Sequence, residues 1–152
     1  MAEIKRKTKK KSQGAFLRDS IMTGISYMIP VIVGAGVIQA IAKAMGGYDI
    51  GNHMDQIDTI AKAIMLLGQN MMNYVVPVIA AFIAYAMADK PGLAPGFVMG
   101  ALAGAINTGF VGGVVGGIMV GYFVLMLKKI KVPKAIQGIM PILVYPVVTT
   151  LV

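Results

Sequence analysis

Asp89-Lys90-Pro91-Gly92-Leu93-Ala94-Pro95-Gly96-Phe97 is a polar, proline-punctuated break between two long apolar segments. It carries the only charges between Lys62 and Lys128, and its two prolines cannot donate backbone hydrogen bonds. Such a stretch cannot lie exposed in hydrocarbon, so it is expected at a membrane surface. Working outward from it, the rest of the chain falls into place on either side.

Apolar residues make up 57% of the chain and charged residues only 13%, bunched rather than dispersed. A soluble domain of this length is not written that way; an integral membrane protein is. Four stretches are free of charge: Ser20 to Ala42, Ala63 to Ala88, Pro91 to Leu127, and Ala135 to Val152. Each is long enough to reach across about 30 Å of hydrocarbon as a helix. The expected fold class is therefore all-α, a polytopic membrane helical bundle.

The positive charge is concentrated in Lys5, Arg6, Lys7, Lys9, Lys10 and Lys11, and again in Lys128, Lys129, Lys131 and Lys134. Both clusters flank apolar spans, which predicts a cytoplasmic N-terminus and a multi-pass protein of the plasma membrane. No aromatic residues interleave with these lysines, which argues against nucleic acid as a partner. Without cysteine there is no disulfide, thiolate metal site or cysteine nucleophile.

Residues 1–19 read as a basic cytoplasmic arm, lying on anionic membrane lipid or disordered, and residues 20–152 as the membrane domain. Asp19 or Ser20 is expected to cap the first helix. Ala42-Lys43-Ala44 looks like a cleavage site after a signal peptide, but the apolar run before it is too long, so a retained anchor is expected. Within that run Ser26-Tyr27-Met28-Ile29-Pro30 precedes Gly34 and Gly36, a proline kink followed by small residues that admit another backbone.

From Gly46 to Lys62 the sequence turns polar and, by the charge bias, faces outward. His53 with Asp49, Asp55 and Asp58 has suitable ligand types, but a single exposed histidine makes a poor metal site, and none is expected. Met54, Ile57, Ala61 and Ile64 follow helical spacing into the second span. That span carries Gln69, Asn70 and Asn73 ahead of Pro77. Three amides in an apolar segment need partners, either neighbouring helices or a hydroxyl-rich solute.

Pro91 to Leu127 would measure about 55 Å as one straight helix, too long for a single crossing, so it must fold back. Gly96, Gly100 and Gly104 recur at every fourth position, as do Gly113, Gly117 and Gly121, with Ile106-Asn107-Thr108-Gly109 between. The pattern predicts a tight helical hairpin, whose first arm, about Leu93 to Ile106, is short enough to be re-entrant. Broken elements of this kind often adjoin transport sites, which makes Asn107 and Thr108 candidates for a substrate path alongside Gln69, Asn70 and Asn73; a plain turn is the simpler reading.

Gly24-Ile25-Ser26-Tyr27-Met28-Ile29-Pro30, Ala88-Asp89-Lys90-Pro91-Gly92-Leu93-Ala94-Pro95-Gly96-Phe97 and Thr108-Gly109-Phe110-Val111-Gly112-Gly113 together resemble the fructose-type IIC components of the bacterial phosphotransferase system. The stretch from Gly121 to Leu151, with Ile139-Met140-Pro141-Ile142-Leu143, resembles the same family. The resemblance implies a sugar permease component that takes its phosphoryl group from IIA and IIB partner proteins, with no cofactor and no catalytic residue of its own in this chain. It implies structural roles for Ser26, Tyr27, Pro30, Asp89, Pro91, Gly92, Pro95, Gly96, Gly109, Gly112 and Gly113.

The resemblance covers about the N-terminal half of a family member. A Gly-x-Thr-Glu-Gly-Ala type motif, whose glutamate is associated with sugar binding in the family, is missing, so catalysis by this chain alone is not expected. By analogy this half supplies scaffold and a homodimer interface, and a second membrane half supplies most of the sugar site. A small self-assembling pore and an inactive truncated remnant are the alternative readings.

Overall fold

The computed structural model describes residues 12–52 and 59–129, and within them five α-helices and no strand. These are α1 (Gln13–Gly46), α2 (Thr59–Asn73), α3 (Val75–Ala88), α4 (Lys90–Ala105) and α5 (Gly109–Lys128). The fold is an all-α bundle of membrane type. Among the described residues three stretches are long and apolar enough to cross a membrane: Gln13–Gly46, Ile60–Ala88 and Gly109–Lys128. The α4 helix, with 16 residues, measures about 24 Å.

The first helix begins at Gln13, earlier than a cap at Asp19 or Ser20 would place it. Ser12 is the N-cap, its Oγ accepting from the Ala15 amide at 3.4 Å. The intervening residues include alanine, leucine and arginine, which favour helix, so the ordered segment runs back into the polar arm. Ser20 donates its hydroxyl to the Phe16 carbonyl (2.9 Å). Thr23 and Ser26 do the same to Asp19 and Met22, both at 2.8 Å. Each hydroxyl is satisfied on the preceding turn. Pro30 lies inside α1 and has no N–H to offer the Ser26 carbonyl.

Helix α3 is the centre of the bundle, with α1, α4 and α5 packed round it. Its sequence explains why it can be surrounded. Ala80, Ala81, Ala84 and Ala88 are buried and small, while Ile79 and Ile83 are fully enclosed. Ile79, Ile83 and Met87 form the main core with Met28 of α1, and Phe16, Ile25, Val114 and Leu125 close it. A second cluster joins Ala84 and Ala88 to Val120 and Val124 of α5. The outer surface is apolar instead of polar: Tyr27, Val33 and Val37 of α1 and Val111, Met119 and Met126 of α5 are exposed. That inversion suits a hydrocarbon surround.

Both glycine ladders exist on helices, and the arms of the hairpin do pack together. Most of the small residues, however, face α3 rather than the opposite arm. A Cβ at Gly92 would stand 2.5 Å from the Ala84 carbonyl oxygen, and one at Gly100 would stand 2.6 Å from the Pro77 Cα. Gly113 abuts Val76, and a Cβ at Gly117 would lie 2.7 Å from the Ala80 oxygen. Spacing defines a smooth face, not its partner. Here the two smooth faces clasp a third helix. Gly112 and Gly116 serve the hairpin itself, against Thr108 and Ala103 in one case and Met99 in the other.

Helix α2 packs chiefly on α1, through Gly68 against Ala35 and Gln39. The Gln39 side-chain amide donates to the Gly68 carbonyl at 3.1 Å, a part-buried bond between helices. Ala61, where helical spacing led into this span, is buried with Ala42, Ile50 and Met65; Met54 and Ile57 lie outside the described residues. Gln39→Leu is expected to destabilise the bundle by about 0.6 kcal/mol, typical of such bonds in membrane proteins. An unfolding titration in mixed micelles would measure it.

At the opposite end of α3, Asp89 joins α3 to α4 with φ 58° and ψ −156°. The expected polar break is only this one residue wide. Pro91 occupies the first turn of α4, where its missing N–H costs nothing, and Pro95 follows inside the helix. Lys128, at the end of α5, donates to the Ala88 carbonyl at 2.6 Å and approaches the Asp89 carboxylate at 3.3 Å. The end of α3, the start of α4 and the end of α5 therefore meet at one end of the bundle.

Candidate functional site

Pro77 decides where the site forms. It offers no N–H to the carbonyl of Asn73, four residues earlier, and the apolar run from Ile60 to Ala88 breaks there into α2 and α3. Tyr74 sits at the break with φ −83° and ψ −5°, its amide bonded to the Met71 carbonyl, one residue short of α-helical register (3.1 Å). A broken helix is tolerated at membrane depth where the freed groups face protein or a cavity. This one faces a cavity.

Opposite the break lies the turn of the α4–α5 hairpin. Asn107 adopts φ 56°, a left-handed conformation that asparagine enters more readily than most residues, and Gly109 follows at φ 61°. Thr108 closes the turn: its hydroxyl donates to the Ala103 carbonyl at 2.8 Å and its amide to the same oxygen at 3.1 Å. Between break and turn is an open cleft of about 480 Å³, lined by Asn73, Tyr74 and Pro77 on one side and Gly104, Asn107 and Gly109 on the other. Tyr74 is held as a wall by stacking on Phe97, ring centroids 6.3 Å apart.

Of the five substrate-path candidates, Asn73 and Asn107 come together in this cleft. Gln69, Asn70 and Thr108 do not line it. Asn70 bonds to the Leu66 carbonyl (2.9 Å) on its own helix, Gln69 turns toward the Gly51 loop, and Thr108 is engaged in the turn. Two exposed amides, each with donor and acceptor, facing one another across a mostly apolar cleft can orient a small hydroxylated solute. Tyr74 and Gln39 escaped the sequence reading. A tyrosine three residues ahead of a mid-span proline, and a lone amide within an uncharged span, were the available signals.

The motif residues are placed as follows. Ser26 bonds back to Met22, Tyr27 stacks on Phe82 with centroids 4.0 Å apart, and Pro30 lies within α1. Asp89 is the α3–α4 joint; Pro91, Gly92, Pro95 and Gly96 are buried on the α4 face toward α3. Gly109 follows the hairpin turn, and Gly112 and Gly113 begin the packed face of α5. Among the described residues no cluster of metal-ligating side chains occurs; His53, Asp55 and Asp58 lie outside them, as do Pro141 and Pro146.

Helix length, an apolar exterior and a broken span facing a hairpin turn define an all-α membrane protein. Comparison with known proteins is more specific. Over most of its length the chain is similar to fructose-specific EII components of the phosphotransferase system. It is 50% identical over 133 residues to the PTS system fructose-specific EIIB'BC component of Xanthomonas campestris, covering 86% of this chain and 23% of that protein. It is 38% identical over 129 residues to the fructose-specific EIIABC component of Bacillus subtilis (83% and 20%). It is 35% identical over 136 residues to the Fructose-like permease IIC component 2 of Escherichia coli (89% and 37%). The chain thus spans between a fifth and somewhat over a third of these relatives' length. No family model matches the chain. No solved structure matches it either.

Proposed function

We propose that this chain forms part of the membrane permease for phosphorylation-coupled uptake of fructose or a related sugar. It supplies scaffold helices and one wall of the solute path, with Asn73 and Asn107 as the polar contacts. The observation that carries this reading is the meeting of the α2–α3 break and the hairpin turn at those two amides. The relatives' names support the substrate class and the phosphoryl-donor proteins, since several are fused EIIB–EIIC chains. A second membrane segment and IIA and IIB proteins complete the activity, and the ligand is neutral until it is phosphorylated.

The proposed topology is multi-pass with a cytoplasmic N-terminus: the turn at Asp89-Lys90 and the end of α5 share one face with the start of α1, and that face is the basic one. The proposed homodimer would use the outer side of α1, where Val33 and Val37 are exposed and Gly36 has open space beside it.

The test is uptake and phosphorylation of labelled fructose in cells lacking their own fructose permease. The chain is expressed alone, then with a second membrane half and the donor proteins of a relative. Activity is expected only in the combination. Within it, Asn73→Ala and Asn107→Gly, the latter keeping the left-handed turn, are each expected to raise half-saturation about five-fold, the worth of one neutral hydrogen bond. Unchanged half-saturation in both would remove the cleft from the solute path; inactivity of every combination would remove the uptake role.

A further inference from the structure

At the basic end of the bundle a groove of about 790 Å³ opens between the first turns of α1 and the last turns of α5. Phe16, Tyr122, Leu125 and Met126 give it apolar walls, and Lys128 and Lys129 lie beside them. Along α5 the order is informative. Tyr122, Leu125, Met126 and Lys129 stand at helical spacing on one side, so a greasy strip ends in a cation at the terminus of the helix.

The charges at this end do not cancel. Asp89 is engaged with Lys128, which spends one more of its three N–H donors on the Ala88 carbonyl and so retains one. Lys129 and Lys90 are exposed. The first turn of α1, the positive end of its dipole, carries no acidic residue. Asp19, exposed on α1 beside Arg18, has an interaction partner of its own. Upstream of Ser12 the chain adds Lys5, Arg6, Lys7, Lys9, Lys10 and Lys11 against Glu3 alone.

We propose that this groove binds an acidic phospholipid, its phosphate at Lys129 and the remaining donor of Lys128, its acyl chains along Tyr122, Leu125, Met126 and Phe16. A free phosphate would satisfy the lysines and leave the apolar walls uncovered. A zwitterionic lipid would cover the walls and offer a phosphate, but it carries its own ammonium along and leaves the net positive charge of this end uncompensated. An anionic amphiphile matches both, and basic grooves between membrane helices are favourable places for such headgroups.

The full chain in mild detergent is titrated with phosphatidylglycerol, with phosphatidylcholine of the same acyl chains, and with glycerol 3-phosphate, and bound ligand is read by native mass spectrometry. Phosphatidylglycerol is expected to bind in preference, and glycerol 3-phosphate to bind negligibly. Lys129→Gln is expected to weaken phosphatidylglycerol about five-fold, the effect of one cation near an anionic headgroup. Lys129 is exposed, so this variant keeps the bundle intact, whereas Lys128 also ties α3 to α5. A variant with glutamine at all six basic positions from 5 to 11 is expected to retain a preference that Lys129→Gln then lowers.

Equal binding of the two lipids, an undiminished preference in Lys129→Gln, or full occupancy by glycerol 3-phosphate would each overturn the assignment. So would salt-reversible capture of a soluble phosphoprotein through Lys129 without any lipid preference. The readout involves neither sugar nor donor protein, so it stands apart from the uptake role.

Discussion

Gly100→Leu is expected to unseat α4 from α3 and to cost more than about 3 kcal/mol, the upper range for overpacking a tight interface. The cause is backbone, not side chain. A Cβ at this position would lie 2.6 Å from the Pro77 Cα and 2.8 Å from the Val76 carbonyl oxygen, neither of which can rotate away. The adjoining cleft should open with it, since Val76 and Pro77 form its wall. Unfolding in mixed micelles, followed by far-ultraviolet circular dichroism, measures the loss. Gly36→Ala and Gly104→Ala are the controls, because an added Cβ there meets nothing within 4 Å. Both should match or slightly exceed the parent, by up to about 1 kcal/mol from helix propensity. Equal stability of Gly100→Leu and Gly104→Ala would sink the packing account.

Lys128→Met should cost about 2 kcal/mol, within the range for a hydrogen bond from a charged donor. The last carbonyls of a helix lack intrahelical partners, and Ala88, at the end of α3, is fully buried. The ammonium of Lys128 supplies the missing donor from across the bundle. The carboxylate contributes much less, because the Asp89 side chain is 85% exposed and its oxygen lies 3.3 Å away. Asp89 also holds a backbone conformation, φ 58° with ψ −156°, close to a region reserved almost entirely for glycine. Asp89→Gly is therefore expected to stabilise the bundle by about 1 kcal/mol despite losing the ion pair, while Asp89→Ala keeps the strain and loses the pair. The same micelle titration ranks the three. A destabilising Asp89→Gly would show that the carboxylate outweighs the backbone.

Composition made the fold class legible, and proline with charge made the Asp89 turn legible. Asn107 and Gly109 marked the hairpin turn because few other residues accept left-handed φ. The α2–α3 break was harder. Pro77 follows the amides Gln69, Asn70 and Asn73 closely enough that all four read as features of one continuous span, and a proline inside an apolar run kinks a helix as readily as it ends one. The start of α1 was obscured for the opposite reason: Arg18 and its neighbours mark a polar arm by charge, yet they are adequate helix formers. The glycine ladders foretold close packing without naming the partner, because a period of four defines a face and leaves the opposing surface open. Which amides share a cleft depends on how α4 and α5 fold back over α3, which is tertiary information.

The closeness of the ladders has a consequence for the backbone of α3. Where a Cβ is absent, a Cα hydrogen points along nearly the same line, and the positions at Gly96 and Gly117 aim at one atom, the Ala80 carbonyl oxygen, at 2.9 and 2.7 Å from the Cβ sites. That oxygen is placed to take weak C–H contacts from two helices, each worth about 0.5–1 kcal/mol where the Cα lies within reach. A single carbon-13 label at the Ala80 carbonyl would consequently report the seating of α4 and of α5 together, in one infrared band shifted away from those of the lipid-facing peptide groups.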